Sequence, residues 1–395
     1  MGDWDDLVII CGTTFWSGTR LLDQHIAEHL TAYAPVLYLE PPTSVLSRFR
    51  NPESRKASQR GIKQVSPRLA VMSPRVLPLK ERPLGKQLSL LLTRRAMKSA
   101  VRQLGTSRVR AVIVPSLNPL FRAVDEEISV FYAKDDYVAG ARLMGINVRR
   151  LERRARRQPR EADLVVAVSA SLVTSLTSDG VQPLFVPNGC DVDAYRSTSA
   201  PAEGAPPVVA FVGHLSERVD VTLLEAVART GVQLLFVGAR QTTMSSGHFE
   251  SIFALPNVRW LGAVPYSSLP EVLSQVTTCV LPYSDSAFNR ASFPLKALEY
   301  LAAGRRVVSS DLPAVRWLDT DLISIAHGAE DFARLVQESL ATPLADDEID
   351  ERKSFAHTHS WENRAKILAS ALGLGDGTAA TPEPVRGRLD RDTAP

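Results

Sequence analysis

The sequence predicts an α/β protein of two domains, each built on a parallel sheet, and three observations predict it. Short apolar strands alternate with helical stretches along the whole chain, as parallel sheets with crossover helices require. At 395 residues the chain is long for one core and comfortable for two. The alternation is interrupted at about 195–206 by RSTSAPAEGAPP, where Pro, Ala and Ser crowd together as in a linker.

The first domain, residues 1–200, opens with strand Leu7–Cys11 and the loop GTTFWSG, followed by helix Arg20–Tyr33 and strand Val36–Leu39. Residues 40–87 are rich in Pro, Arg, Lys and Ser and read as a long, partly mobile loop. Strands follow at Ala111–Val114, Ser129–Tyr132, Leu164–Val168 and Leu184–Val186. The second domain, residues 206–350, starts with strand Val208–Val212 and includes strand Val258–Leu261. A helix over 360–372 carries Trp361 as an anchor, and residues 373–395 lack periodicity and read as a disordered tail.

Hydrophobic content of 45% and charged content of 23% are those of a soluble globular protein. No apolar run approaches the length that spans a bilayer. The acidic start, MGDWDD, argues against a secretory signal. Three widely spaced cysteines, Cys11, Cys190 and Cys279, show no metal-ligand pattern and read as buried free thiols in a reducing compartment, so the cytoplasm is expected.

The net charge of +3 conceals an asymmetry. Between Arg48 and Arg110 lie 17 Lys or Arg against Glu53 and Glu81, and VRRLERRARRQPR at 148–160 makes a second cluster of eight cations, counting Arg142. Within the first, LSLLLTRRAMKSAVRQL at 88–104 sets leucines beside Arg94, Arg95, Lys98 and Arg102. That is the composition of a basic amphipathic helix able to lie on an anionic membrane, or of a core helix with a charged outer face. Neither aromatic interleaving nor a binding module points to nucleic acid. No Walker loop or Gly-x-Gly-x-x-Gly follows a strand, which removes the main support for ATPase and dehydrogenase readings.

The most informative stretch is FNRASFPLKALEYLAAGRRVVSSDLPAV at 288–315. It predicts a helix opened by Pro294, ended by a left-handed Gly304, then a buried strand with Val307 and Val308. Lys296 falls in the first helical turn, where free N–H groups and the helix dipole favour an anion, so a cation there suits a site for something negative. Glu299 lies three residues on, on the same face. The pair could hold a diphosphate and a ribose diol, or could be an ordinary surface ion pair.

This segment resembles the donor-binding region of GT-B glycosyltransferases, particularly the family 4-like branch and its subgroup associated with teichuronic-acid and exopolysaccharide synthesis. The resemblance continues in order through EADLVVAVSASL at 161–172, VPNGCDVDAY at 186–195, VVAFVGHLSERVDVTLLEAV at 208–227, LLFVGAR at 234–240, LPNVRWLGAVPYSSLPEVL at 255–273 and CVLPY at 279–283. It implies two Rossmann-like domains facing a central cleft, with helix 360–372 crossing back to the first. Lys296 and Arg218 then become catalytic cations on the leaving diphosphate. Gly213, His214, Asn289, Arg290, Ser292 and Leu295 become contacts to donor diphosphate and sugar, and Glu299, Gly238, Arg240 and Gly262 border the nucleoside. His214 also reads as a capping or core histidine.

Two departures from the pattern stand out. The usual lysine and glycine near the strand end are Val219 and Asp220 here, and the first of two glutamates spaced by eight is Ala291. From the first domain, Gly18 and Thr19 sit where a loop would approach donor or acceptor. Asp135 and Asp136, after strand Ser129–Tyr132, are catalytic candidates for orienting an acceptor hydroxyl, or else a helix cap and dipole partner. Asp191–Asp193 and Asp319–Asp321 spell Asp-x-Asp but are weak metal signals in a chain with 43 carboxylates, and no metal or other cofactor is expected.

The function implied is a retaining transfer of a sugar from a UDP- or GDP-sugar to a hydroxyl acceptor on a cell-envelope glycan or lipid-linked intermediate. The acceptor domain's basic surface would lie peripherally on the inner face of the plasma membrane. The alternatives are a nucleotide-sugar epimerase of the same fold, or an inactive nucleotide- or partner-binding scaffold.

Overall fold

The computed structural model describes residues 4–18, 20–44, 46–47, 52–55, 57, 61–77, 83–145, 147–240 and 249–375. Thr19 and the tail from residue 376 lie outside them. The chain divides into two units. Unit 1 takes the chain up to Val138, Asn147–Pro187 and the segment from Trp361, and unit 2 takes a short segment from Ala139 and Asn188–Ser360.

Unit 1 holds strands β1 (Leu7–Cys11), β2 (Val36–Leu39), β3 (Ile62–Ser66), β4 (Leu69–Met72), β5 (Val109–Val114), β6 (Ile128–Ala133), β7 (Leu164–Ala167) and β8 (Leu184–Phe185). They form one sheet in the order β3-β4-β2-β1-β5-β6-β7-β8, parallel except for β3 against β4. β1, β2 and β4 are buried at every residue, because helices cover both faces of a parallel sheet and leave no place for alternating polar residues.

The long loop expected over 40–87 is therefore corrected. Ile62–Ser66 and Leu69–Met72 make an antiparallel edge hairpin turning at Pro67–Arg68. Its outer strand is largely exposed and carries Lys63 and Gln64, which hides it from a reading by hydrophobicity and suits an edge that must not pair further. The helix Trp361–Ala371 also belongs to unit 1. Trp361 is buried and stacks on the His25 ring of helix Leu22–Leu30, centroids 5.2 Å apart and planes 8° apart. Leu374 is buried as well, so the tail expected to be disordered from 373 is packed at its first residues.

Unit 2 holds β9 (Val208–Val212), β10 (Gln233–Val237), β11 (Val258–Trp260), β12 (Thr278–Leu281), β13 (Arg306–Ser310) and β14 (Ile323–Ala326), all parallel in the order β11-β10-β9-β12-β13-β14. Phe211, Leu224, Phe236, Val280, Val308 and Phe332 belong to its core. It begins at Asn188 rather than near 200. The turn after Pro187 is tied in by Asn188, which donates to Phe293 O at 3.2 Å, and by Cys190 N–H, which donates to His359 O at 3.0 Å. All three cysteines are buried and free.

Candidate active site

The carboxyl ends of β9, β10 and β11 each deliver a glycine, and their backbones touch. Gly238 N–H donates to Gly262 O at 2.7 Å, and Gly213 N–H to Val237 O at 2.9 Å. Gly238 has φ +145°, and a Cβ there would lie 1.9 Å from Gly213 O, so the position admits no side chain. Open parallel sheets bind ligands at this end.

The helix Leu295–Ala302 arrives at the same end. Pro294 precedes it and supplies no capping side chain, so the first N–H groups keep their claim on an anion. Gly304, at φ +72°, closes the other end, with Gly304 N–H bonding Leu301 O and Arg305 N–H bonding Tyr300 O. Tyr300 fastens the helix to β9 through two bonds to Val212. Lys296 Nζ contacts the Glu299 carboxylate, both side chains being mostly buried, so the two candidates stand together as an ion pair. Buried beside Glu299 is the Tyr195 hydroxyl, pushed well above its usual pKa by burial and then by that carboxylate.

The loop after β9 places Arg218 between two rings, its guanidinium carbon 5.0 Å from the Tyr283 centroid and 4.9 Å from that of Phe288. Its Nε donates to Asn289 Oδ1 at 2.9 Å. Asn289 is 1% exposed, and its Nδ2 donates to Arg218 O and Ser284 O, each at 2.9 Å. Val219 is buried in the core, and Asp220 caps helix Val221–Arg229 by accepting from Thr222 N–H at 2.9 Å, which is what the departure from the usual lysine and glycine accomplishes.

Other candidates are placed less directly. His214 is exposed next to Gly213. Arg240 pairs with Glu250 at 2.9 Å, and that bond holds the Glu250 carboxyl below its ordinary range. Arg290 makes a two-pronged pair with Asp285, Nε to Oδ1 and Nη2 to Oδ2 each at 2.5 Å. Ser292 is buried and donates to Phe288 O at 2.8 Å, ending helix Ala287–Ala291. Leu295 is the first residue of its helix.

In unit 1, Asp136 Oδ1 accepts from Val138 N–H at 3.0 Å and so caps helix Tyr137–Leu143, while Asp135 stands one residue outside that cap. Gly18 N–H donates to Phe15 O at 2.8 Å. Sequence reasoning missed a buried group at the ends of β1 and β6. Asp23, fully buried, accepts from Thr13 N–H at 2.7 Å and pairs with Lys134 Nζ at 3.0 Å. Asp23 lies in the first turn of helix Leu22–Leu30, and nothing in the spacing links it to Lys134, 111 residues away. Asp191 serves its own turn by accepting from Ala194 N–H at 3.2 Å. Among the described residues no cluster of three or more His, Cys, Asp or Glu could hold a metal.

Two units, each with a largely parallel sheet, are the architecture expected of a GT-B fold, and the solved structures below share it. Residues 206–342 match the family model of glycosyl transferases group 1, the kind of protein the sequence resemblance implied. By sequence, the chain is 27% identical over 172 residues to TuaH of Bacillus subtilis (strain 168), named as a teichuronic acid biosynthesis glycosyltransferase, covering 42% of this chain and 43% of the relative. It is 31% identical over 152 residues to the phosphatidyl-myo-inositol mannosyltransferase of Mycobacterium tuberculosis, covering 36% and 38%. The matches thus span less than half the length of these relatives. Among solved structures, sucrose-phosphate synthase from Thermosynechococcus elongatus superposes with TM-score 0.72 at 17% identity over 93% of this chain and 98% of that one. Anabaena Alr3699/HepE in complex with UDP and glucose gives TM-score 0.67 at 12% identity, covering 93% and 99%. At these identities the structures speak to fold alone.

Proposed function

We propose that the chain is a retaining glycosyltransferase that moves a sugar from a UDP- or GDP-sugar to a hydroxyl of a cell-envelope or lipid-linked glycan. The observation that carries this reading is the start of helix Leu295–Ala302, where no side chain caps the N–H groups and Lys296 stands beside Glu299. On donor binding, Lys296 leaves Glu299 for the diphosphate, and Glu299 turns to the ribose diol. As the bond from the anomeric carbon to the diphosphate breaks, negative charge grows on the leaving oxygens. Lys296, the helix start and Arg218 oppose it, and the acceptor hydroxyl attacks from the same face, passing its proton to the departing diphosphate oxygen. Gly213, Gly238 and Gly262 let the nucleotide approach backbone, with His214 and Arg290 at the sugar and Arg240 at the base. In unit 1, Asp135 orients the acceptor hydroxyl while Gly18 lies along its path. Side-chain cations supply the charge, so a chelator should leave turnover unchanged.

The names of the sequence relatives, one for teichuronic acid synthesis and one for a phosphatidylinositol acceptor, support an envelope acceptor. Structural neighbours solved in complex with UDP support a nucleotide-sugar donor. The test is a thermal-shift screen with UDP, GDP, ADP and dTDP, followed by turnover of the matching sugar nucleotide. A ligand at a hundred times its dissociation constant adds about 2.7 kcal/mol. A shift with one diphosphate that disappears in Glu299→Ala is expected, together with product formed only when acceptor is present. Conversion of the donor alone would indicate an epimerase, and near-normal turnover in both Lys296→Ala and Glu299→Ala would overturn the site.

A specific observation also supports a membrane-side location. On helix Pro83–Leu104, Leu88 and Leu91 are 40% and 45% exposed, in line with exposed Arg95, Lys98 and Arg102. Met97 and Ala100 are buried on the opposite side. The helix has a buried face and an outer stripe that joins leucines to cations, as a core helix with a charged outer face requires, and that stripe is what supports the membrane reading. Sedimentation with phosphatidylglycerol vesicles at low salt, but not with phosphatidylcholine vesicles, is expected, and equal failure with both would refute the location.

A further inference from the structure

We propose that Tyr283, Phe288 and Asn289 form a cage that fixes the Arg218 guanidinium as a preset anion contact, with Asn289 acting through Arg218 rather than on the ligand. The proposal rests on the reading of this edge as a diphosphate site. Asn289 is 1% exposed, and its polar atoms are committed inside unit 2. Oδ1 accepts from Arg218 Nε at 2.9 Å, and Nδ2 donates to Arg218 O at 2.9 Å, Ser284 O at 2.9 Å and Ser284 Oγ at 3.2 Å. Ser284 N–H closes the circuit by donating to Arg218 O at 2.9 Å. Buried, with Nδ2 spent on Arg218 O and Ser284 and Oδ1 on Arg218 Nε, Asn289 is placed to act through Arg218 rather than to make the direct sugar or phosphate contact expected of it.

Arg218 is held in its plane by the rings of Tyr283 and Phe288 and by one bond at Nε. Among the described residues its guanidinium bonds through Nε alone, which leaves the two terminal amino groups for a ligand. Its neighbours differ. Arg290 is matched by Asp285 and Arg316 by Asp311, each with a carboxylate that cancels its charge locally. A guanidinium pinned by rings and one amide keeps its full charge and needs no reorganisation when charge develops opposite it. Lysine has no Nε–H to reach Asn289 and no plane to lie between the rings, so it cannot reproduce the arrangement.

The cage should outlive its arginine. In Arg218→Ala the space between the rings remains, with Asn289 Oδ1 lining it, and added ethylguanidinium should occupy it. Titration calorimetry with UDP, and with GDP in parallel, tests this. Arg218→Ala should weaken the diphosphate at least about tenfold, as expected when a charge-assisted contact is lost. Millimolar ethylguanidinium should restore part of that affinity. Restoration should vanish in Arg218→Ala/Asn289→Ala and in Arg218→Ala/Phe288→Leu, the second covering the case in which the first fails to fold. Restoration that is absent from Arg218→Ala, or equal in all three variants, overturns the cage. Unchanged affinity in Arg218→Ala itself overturns instead the diphosphate reading of Arg218 on which the cage rests.

Discussion

The Tyr300 hydroxyl forms two hydrogen bonds with one residue, accepting from Val212 N–H at 2.9 Å and donating to Val212 O at 3.1 Å. It does so where β9 has parted from β12, whose pairing ends at Cys279 with Ala210, so the last peptide of the strand would otherwise be buried without partners. One side chain thereby fixes the glycine loop relative to the helix that carries Lys296 and Glu299. Tyr300→Phe should cost about 1–3 kcal/mol, since it strands a buried N–H and a buried carbonyl. Denaturant unfolding would measure it.

Gly238 and Gly262 both have positive φ, but only Gly238 is also closed in by backbone. Gly238→Ala should abolish soluble folded protein or lower Tm sharply. Gly262→Ala, with open space around its Cβ, should cost about 1–2 kcal/mol of left-handed strain. Parallel melting of the two variants separates steric closure from conformational preference. Equal losses would mean that the contact between Gly238 and Gly213 is not what excludes a side chain.

Burial pushes the Cys11 and Cys279 thiols well above their ordinary pKa, and Cys190 is buried as well. Reaction with a disulfide reagent needs thiolate and access. At pH 8 the native protein should release no thiol equivalents over minutes, and all three should react once denaturant is added.

Several carboxyls sit below their usual range. Asp285 is lowered by the hydrogen bond from Arg290, Glu250 by that from Arg240, and Asp331 by that from His327 N–H. A depressed folded pKa contributes stability above the unfolded value, and that stability is lost as pH falls through the folded one. Tm should therefore be flat from pH 7 to about pH 5 and fall below about pH 4, where unfolded carboxyls begin to take up protons. These groups lie near the surface, so added salt should flatten the fall. A rising Tm on acidification would contradict the assignment.

Where the signal is local, the residues carried it. The strand Val208–Val212 is bounded as its apolar run suggests, and Gly304 ends the Lys296 helix with its positive φ because a left-handed cap is a property of a few neighbouring residues. Trp361 packs in unit 1 because an apolar indole must be covered. The hairpin at Ile62–Met72 was illegible since an exposed edge strand lacks the apolar alternation that marks a strand. Asn289 was legible as a polar residue near the site but not as the partner of Arg218, 71 residues earlier.

Strand order along the chain, helix ends and the anion-seeking helix start thus follow from short-range sterics and periodicity, which any stretch of sequence displays. Which side chains are spent and which remain available follows from long-range pairing. Asp23 with Lys134, Asn289 with Arg218 and Tyr300 with Val212 are each brought together only when the sheets assemble. Burial then makes an unpaired polar group too costly to leave, and the same sequence of residues sorts into supports and contacts.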